Sequence, residues 1–287
     1  MGTTAQKLNK ILETKEAIRT AINNKGGTLT TTDTFASYPS AIDNLPSGEG
    51  NPLKEYLDET KDASFLFSGR AYTNTGVDTT WYYNLTYERL QKILSYNTTS
   101  NVTNMSGMFN RCPNITTIPQ LDTSKVTNMS DMFNSCYGLT DISQLDTSSC
   151  INMSNIFSNC LNLVTIPQLD TRSVTNMNKM FRNCSKLKTI DITHMNITST
   201  SNTNSFAESC NSLTKLIIRN MSSIPALNSN AFNYCYHFTG TTDATYNPQG
   251  LKDGRIYVPD DKVDELKTAT NWSTYADIIV PLSTLVE

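Results

Sequence analysis

The chain has 287 residues, enough for one large domain or two small ones, with 17% charged and 38% apolar positions. Threonine, asparagine and serine number 41, 31 and 28, and mediocre helix formers at that abundance argue against a helical bundle. A net charge of -3 argues against a nucleic-acid partner, and two histidines, His194 and His237, leave little from which to build an imidazole-based catalytic or metal site.

Residues 1–22 carry Lys7, Lys10, Glu13, Lys15, Glu16 and Arg19, so they contain no apolar core of a signal peptide. No apolar run approaches the roughly 18 residues that a membrane helix needs. Leu8, Ile11, Leu12, Ile18 and Ile22 fall on one side of a helical wheel, interrupted by Lys15. Turn residues Asn23 to Gly27 end that helix, a second short amphipathic segment covers 34–45, and 46–52 reads as a linker. A helix with an apolar stripe and no core of its own needs a partner surface. Residues 1–50 are therefore expected to be an attachment or oligomerisation segment, unless the helix packs back on its own chain.

Residues 51–100 precede a regular array and hold Tyr72, Trp81, Tyr82, Tyr83, Tyr87 and Tyr96. From residue 101 the chain repeats. Cys112, Cys136, Cys160, Cys184, Cys210 and Cys235 recur at 24 to 26 residues, an interval that internal repetition produces and a disulfide framework does not. Written in rows of 24, the chain reads NVTNMSGMFNRCPNITTIPQLDTS (101–124), KVTNMSDMFNSCYGLTDISQLDTS (125–148), SCINMSNIFSNCLNLVTIPQLDTR (149–172) and SVTNMNKMFRNCSKLKTIDITHMN (173–196). Cys150 occupies the slot of Val102, Val126 and Val174.

Met105, Phe109 and Cys112 are spaced four then three, which suits a turn or so of helix. The β-branched stretch that follows suits a short strand. One such unit cannot bury enough surface to stand alone, so neighbours must stack. The expected fold is α/β: a leucine-rich-repeat-like solenoid of 24-residue coils over 101–240, each a short helix plus a short parallel strand. An N-terminal cap with a degenerate coil (ASFLF, 63–67) covers 51–100, and a C-terminal cap covers 241–287. In that closing cap Asp260 is expected to N-cap a helix, and Ile278, Ile279 and Leu282 to cover the last coil.

The columns carry the candidate sites. Cys112, Cys136, Cys160 and Cys184 could be metal ligands or disulfides, but their place on the apolar face favours a reduced structural ladder. Asn104, Asn128, Asn152 and Asn176 are expected to bond backbone groups of the turn or the next coil. Asp122, Asp146 and Asp170, with His194 fourth, could hold a cation, although turn capping is the better reading. Gln120, Gln144 and Gln168 repeat at one slot and could line a polar face. Trp81, Tyr82 and Tyr83 could stack on sugar rings or simply close a hydrophobic cap. No catalytic constellation, metal centre or cofactor motif is present, so an enzyme is not expected.

The unit V-T-N-M-S-x-M-F-x-x-C-x-x-L-x-x-I-P-x-L-D-T-S resembles the BspA-like leucine-rich-repeat family, closely over 101–196 and more weakly to about residue 240. The closing segment, Ile256-Tyr257-Val258-Pro259 through Trp272 and Ser273, is similar to that family as well. Such repeats occur in bacterial surface proteins, mycoplasma lipoproteins and bacteriophage tail proteins, and residues 1–50 resemble attachment and trimerisation segments of phage tail-fibre and baseplate proteins. The resemblance implies a virion structural protein of a phage tail, fibre or baseplate, assembled in the host cytoplasm. Its partners would be other virion proteins through residues 1–50, its own copies in a homo-oligomer, with a trimer favoured, and a host-surface glycan or protein. The net charge and the lack of a long apolar run add the expectations of no nucleic-acid partner and no membrane insertion. A bacterial adhesin of the same family, or a virion spacer without a ligand, would fit the repeats too.

Overall fold

The computed structural model describes residues 99–286 apart from 143, 144, 196, 198, 199 and 248, together with Glu16, Arg19, Thr20, Ile22, Asn23 and Ala63. Within these residues the chain mixes short helices with a parallel sheet. The sheet has four strands in sequential order: β1 (Thr189–His194), β2 (Lys215–Asn220), β3 (Arg255–Val258) and β4 (Ile279–Pro281). Thr189 registers with Lys215 and Lys215 with Arg255, while Ile256 faces Ile279. Two helices follow β2: α1 (Tyr236–Thr239) and α2 (Val263–Thr268).

Upstream of β1, successive 24-residue rows pair with one another in parallel. Asn104 bridges Asn128, Asn128 bridges Asn152, and Asn152 bridges Asn176. The segment expected to be a helical turn takes a different form. Met108, Asn110 and Cys112 donate to the carbonyls of Met105, Gly107 and Phe109, three residues back within the same row. The alternate N–H groups, of Met105, Gly107, Phe109 and Arg111, donate to Asn128, Ser130, Met132 and Asn134 of the next row. The pattern recurs from Met129, Met153 and Met177. Each row is a run of tight turns laddered to its neighbour, and both sets of backbone groups are satisfied without an α-helix.

The reason lies in the backbone. Each row carries two residues in the left-handed region, at φ 63° and 61° for Gly107 and Arg111, 59° and 63° for Asp131 and Ser135, and 56° and 62° for Asn155 and Asn159. A left-handed residue every four positions interrupts a right-handed helix. Gly, Asp and Asn tolerate that conformation best, which gives the polar positions of M-S-x-M-F-x-x-C a backbone role.

The interior is one continuous apolar cluster running from Val102 to Ile279. Phe109, Phe133, Phe157 and Phe181 stack with centroids 5.5, 5.8 and 5.7 Å apart and planes within 17°. From Phe181 to Phe206 the geometry turns to edge-on at 88°, where the row length departs from 24. The closing segment seals the far end. Trp272 is fully buried against Phe232, and its Nε1 donates to the Pro225 carbonyl at 2.8 Å. Ile278 and Ile279 are buried too, whereas Leu282 lies in a surface turn. Asp260 does not cap α2. It opens a 3-10 turn instead, and its Oδ1 accepts from the Ser283 N–H at 3.1 Å, tying the end of the chain to the cap.

Ala63 extends the ladder at the other end. Its N–H donates to the Asn104 carbonyl at 2.8 Å, the bond that Met105 makes to Asn128 one row later. Among the described residues no helix is long and apolar enough to cross a membrane.

Candidate functional site

Repetition makes the polar columns the obvious candidates for a functional site. Each cysteine of the ladder is a buried, reduced thiol. Cys136, Cys160, Cys184 and Cys210 donate to the carbonyls of Phe109, Phe133, Phe157 and Phe181, at 3.0 to 3.2 Å. Each of those oxygens already accepts the N–H of the cysteine in its own row, so the thiol fills the second lone pair. Burial pushes the Cys136 thiol up to about 12 and Cys150 to about 11, and holds Cys160, Cys184 and Cys235 well above the usual thiol range. Such thiols are poor nucleophiles and poor metal ligands.

Asn104, Asn128, Asn152 and Asn176 each accept, on Oδ1, the backbone N–H two residues on, at 3.1 Å. These are Asx turns, and they fix the entry into each run of tight turns. The Asp ladder does the same at the opposite corner. Asp122 and Asp146 accept from the N–H and hydroxyl of Ser124 and Ser148, and Asp170 accepts from Arg172. Among the described residues no group of three or more His, Cys, Asp or Glu could hold a metal ion. His194 takes the fourth place through its backbone: its carbonyl accepts from Thr171 Oγ1, as Asp170 accepts from Thr147 at 2.8 Å.

That bond exposes a column the sequence reading passed over. Thr123, Thr147 and Thr171 are almost completely buried, and each hydroxyl donates to a carbonyl of the next row. The signal was present as the invariant T of L-D-T, hidden among so many other threonines.

The tentative ligand residues divide. Gln120 and Gln168 are exposed, and Gln168 Nε2 donates to Asp191 Oδ1 at 3.3 Å. Asp191 is also gripped by Arg219, whose Nε and Nη2 lie 3.0 and 2.6 Å from its two oxygens. Gln144, Trp81, Tyr82 and Tyr83 lie outside the described residues, as do Leu8, Ile11, Leu12 and Ile18 of the assembly stripe. Ile22 is described. It is fully buried and belongs to the same apolar cluster as the repeats.

The one broad departure from the period among the described residues follows Cys235, where α1 and a loop to Gly254 separate β2 from β3. Asn247 holds this loop together. It is buried, its Nδ2 donates to the carbonyls of Tyr236, Thr241 and Leu251, and its Oδ1 accepts the Leu251 N–H. Asp243 pairs with Asn247 through the backbone in both directions, at 3.0 Å each way. His237 Nδ1 meets Asp253 Oδ1 at 2.7 Å, and Lys252 meets Asp277 at 2.8 Å. Gly254 packs so closely that a Cβ there would sit 2.3 Å from a Phe238 ring carbon.

On this frame the tyrosine rings are unused by the core. Tyr236 and Tyr246 stack with centroids 6.2 Å apart and planes at 17°, both half-buried, and Tyr234 is 59% exposed. Asp243 Oδ1 accepts the N–H groups of Thr245 and Tyr246 at 2.9 Å, and these bonds hold its carboxyl below the usual carboxylate range. Tyr234 and Tyr236 flank the ladder cysteine Cys235, far along the chain from the aromatic segment before the array that holds Trp81, Tyr82 and Tyr83.

A parallel-laddered repeat domain, with its repeated polar groups spent on holding rows together and one rigid loop breaking the period, is the class that fold and site define. The chain belongs to the family described as "Mycoplasma protein of unknown function, DUF285", whose pattern matches residues 79–165 and 137–244, together more than half of the chain. That membership is consistent with the BspA-like resemblance of the repeats. No curated protein and no solved structure matches the chain.

Proposed function

We propose that this chain is a non-enzymatic structural and binding protein of a bacteriophage virion, placed on a tail fibre, baseplate or similar appendage. Residues 1–50 attach it to neighbouring virion proteins or to its own copies, as a trimer. The laddered rows form a solenoid that presents its outer surface to the host cell. The observation that carries this reading is the fate of the repeated columns. Thiols, amides, carboxylates and threonine hydroxyls are each engaged with backbone within or between rows, so chemistry is left to the surface and to departures from the period. The phage setting rests on the resemblance of the repeats and of residues 1–50 to tail proteins.

A bacterial or mycoplasma surface adhesin is the second reading, and the family's own description, which names mycoplasma, favours it. Fluorescently labelled full-length protein incubated with intact bacterial cells tests the shared part of both readings. Saturable binding that unlabelled protein competes away is expected, and its absence across the hosts of tailed phages would contradict surface recognition. Antibody-gold microscopy separates the two, with label expected on phage tails rather than on uninfected cell surfaces. Light scattering of the full chain beside one starting at residue 53 tests the assembly role, with an oligomer that falls to a monomer expected. Two monomers would instead mean that the helix bearing the buried Ile22 docks on its own chain.

A further inference from the structure

We infer that the loop between β2 and β3 carries a binding site for a neutral sugar ring, formed by Tyr234, the Tyr236–Tyr246 pair and the carboxylate of Asp243. The inference rests on the reading of this domain as a surface for host recognition, and it names the part of that surface that does the binding.

Four observations converge on it. First, Tyr236, Asp243 and Tyr246 lie in a segment that breaks the period of the array, and Tyr234 ends the last row just before it. Second, it is rigid by construction: the buried amide of Asn247 makes four hydrogen bonds, and Gly254 is locked against Phe238. A site on such a frame loses little conformational entropy on binding. Third, the three rings lie at the surface and take no part in the core, although Phe232 and Phe238 beside them are fully buried. Tyrosine rings present flat apolar faces at low entropy cost, suited to the axial C–H face of a hexose. Fourth, Asp243 stands beside the ring pair with its Oδ1 held by two backbone N–H groups and its carboxylate accepting from the Tyr236 hydroxyl, so the carboxylate is oriented before any ligand arrives. A fixed carboxylate accepts hydroxyl protons from vicinal sugar hydroxyls.

Charge narrows the class. The carboxylate and a net charge of -3 on the chain disfavour sialylated, phosphorylated or uronic sugars, which leaves neutral hexoses and N-acetylhexosamines. Two stacked rings, one exposed ring and one carboxylate should bind a single sugar with Kd on the order of 1 mM, useful only when several copies engage one surface.

Saturation-transfer NMR on the full chain, with maltotriose and chitotriose as probes, tests the inference. Transfer to ring protons of at least one probe is expected, weakened at least about tenfold in Tyr234→Asn and in Asp243→Asn. Asparagine at 234 removes the ring yet tolerates the backbone there, at φ 60°, so a thermal melt should show the variant folded. Tyr246→Phe, which keeps the stack, should retain transfer. Absence of transfer from both probes, or transfer undiminished in folded Tyr234→Asn/Asp243→Asn protein, would overturn the inference. Cell binding by that double variant separates the two readings. If it persists, recognition lies elsewhere on the domain and only the sugar site falls.

Discussion

Cys160 donates its thiol to the carbonyl of Phe133, 3.2 Å away and 27 residues earlier, and that same oxygen accepts the N–H of Cys136. One carbonyl thus joins two rows, and the arrangement recurs along the ladder. The cysteine column is a set of inter-row fasteners that work only when reduced.

Removing a fastener in mid-stack should show its worth. Cys160→Ala leaves a small cavity and an unfilled lone pair, so a loss of about 1–3 kcal/mol is expected by denaturant melting. Cys160→Ser restores the donor and should recover part of that loss. Equal melts for wild type and Cys160→Ala would contradict the fastener role.

The same thiols set a pH limit. Cys136 and Cys150 are raised in the folded state from 9.0 to about 12 and about 11, so the unfolded chain loses their protons first. Their contribution to stability is complete below pH 9 and declines as pH rises towards the folded values. Thermal melts from pH 7 to 11 under reducing conditions should therefore fall above pH 9. At pH 8 a thiol-reactive dye should label the native protein slowly and the denatured protein at all seven cysteines.

Phe157 stacks on Phe133 and Phe181 at 5.8 and 5.7 Å and is fully buried. Phe157→Ala should cost about 3–5 kcal/mol, enough to unfold a marginal domain. Phe157→Leu should cost distinctly less, and a smaller loss for alanine than for leucine would contradict the stack.

The buried threonines offer a comparison of equal shapes. Thr147→Val keeps the volume but removes the bond to the Asp170 carbonyl, for an expected loss of about 1–3 kcal/mol. Thr165→Val, at an exposed position of the same array, should change stability by less than about 0.5 kcal/mol.

Lys179 holds φ 54° while its N–H bonds the next row. A β-branched residue is strained in that region, so Lys179→Val should destabilise by about 1–3 kcal/mol. Lys179→Asn, matching Asn155 one row earlier, should be neutral or slightly stabilising.

Much of this was legible in the chain. The 24-residue period, the apolar columns and the closing Trp272 segment all follow from side-chain identity, and identity is what a row-by-row reading compares. The tight turns were not legible, because the four-then-three spacing of Met105, Phe109 and Cys112 is shared by a helix and by a ladder of turns. The difference rests on φ at Gly107 and Arg111, and arginine does not advertise a left-handed backbone. Asp260 misled for a related reason: it precedes a helix, but its carboxylate reaches Ser283, 23 residues away in sequence. The tyrosine loop was missed because its rings meet only after Asn247 folds the chain back.

Residue-resolved hydrogen exchange across Met129–Cys136 tests the laddered row most directly. The N–H groups of Met129, Asp131, Phe133 and Ser135 bond the following row, and those of Met132, Asn134 and Cys136 bond their own. All seven should be strongly protected and should exchange together, in one cooperative opening. An isolated helical turn would leave its first N–H groups unbonded. Rapid exchange at Met129 and Asp131 beside protection at Cys136 would show that the rows are not laddered.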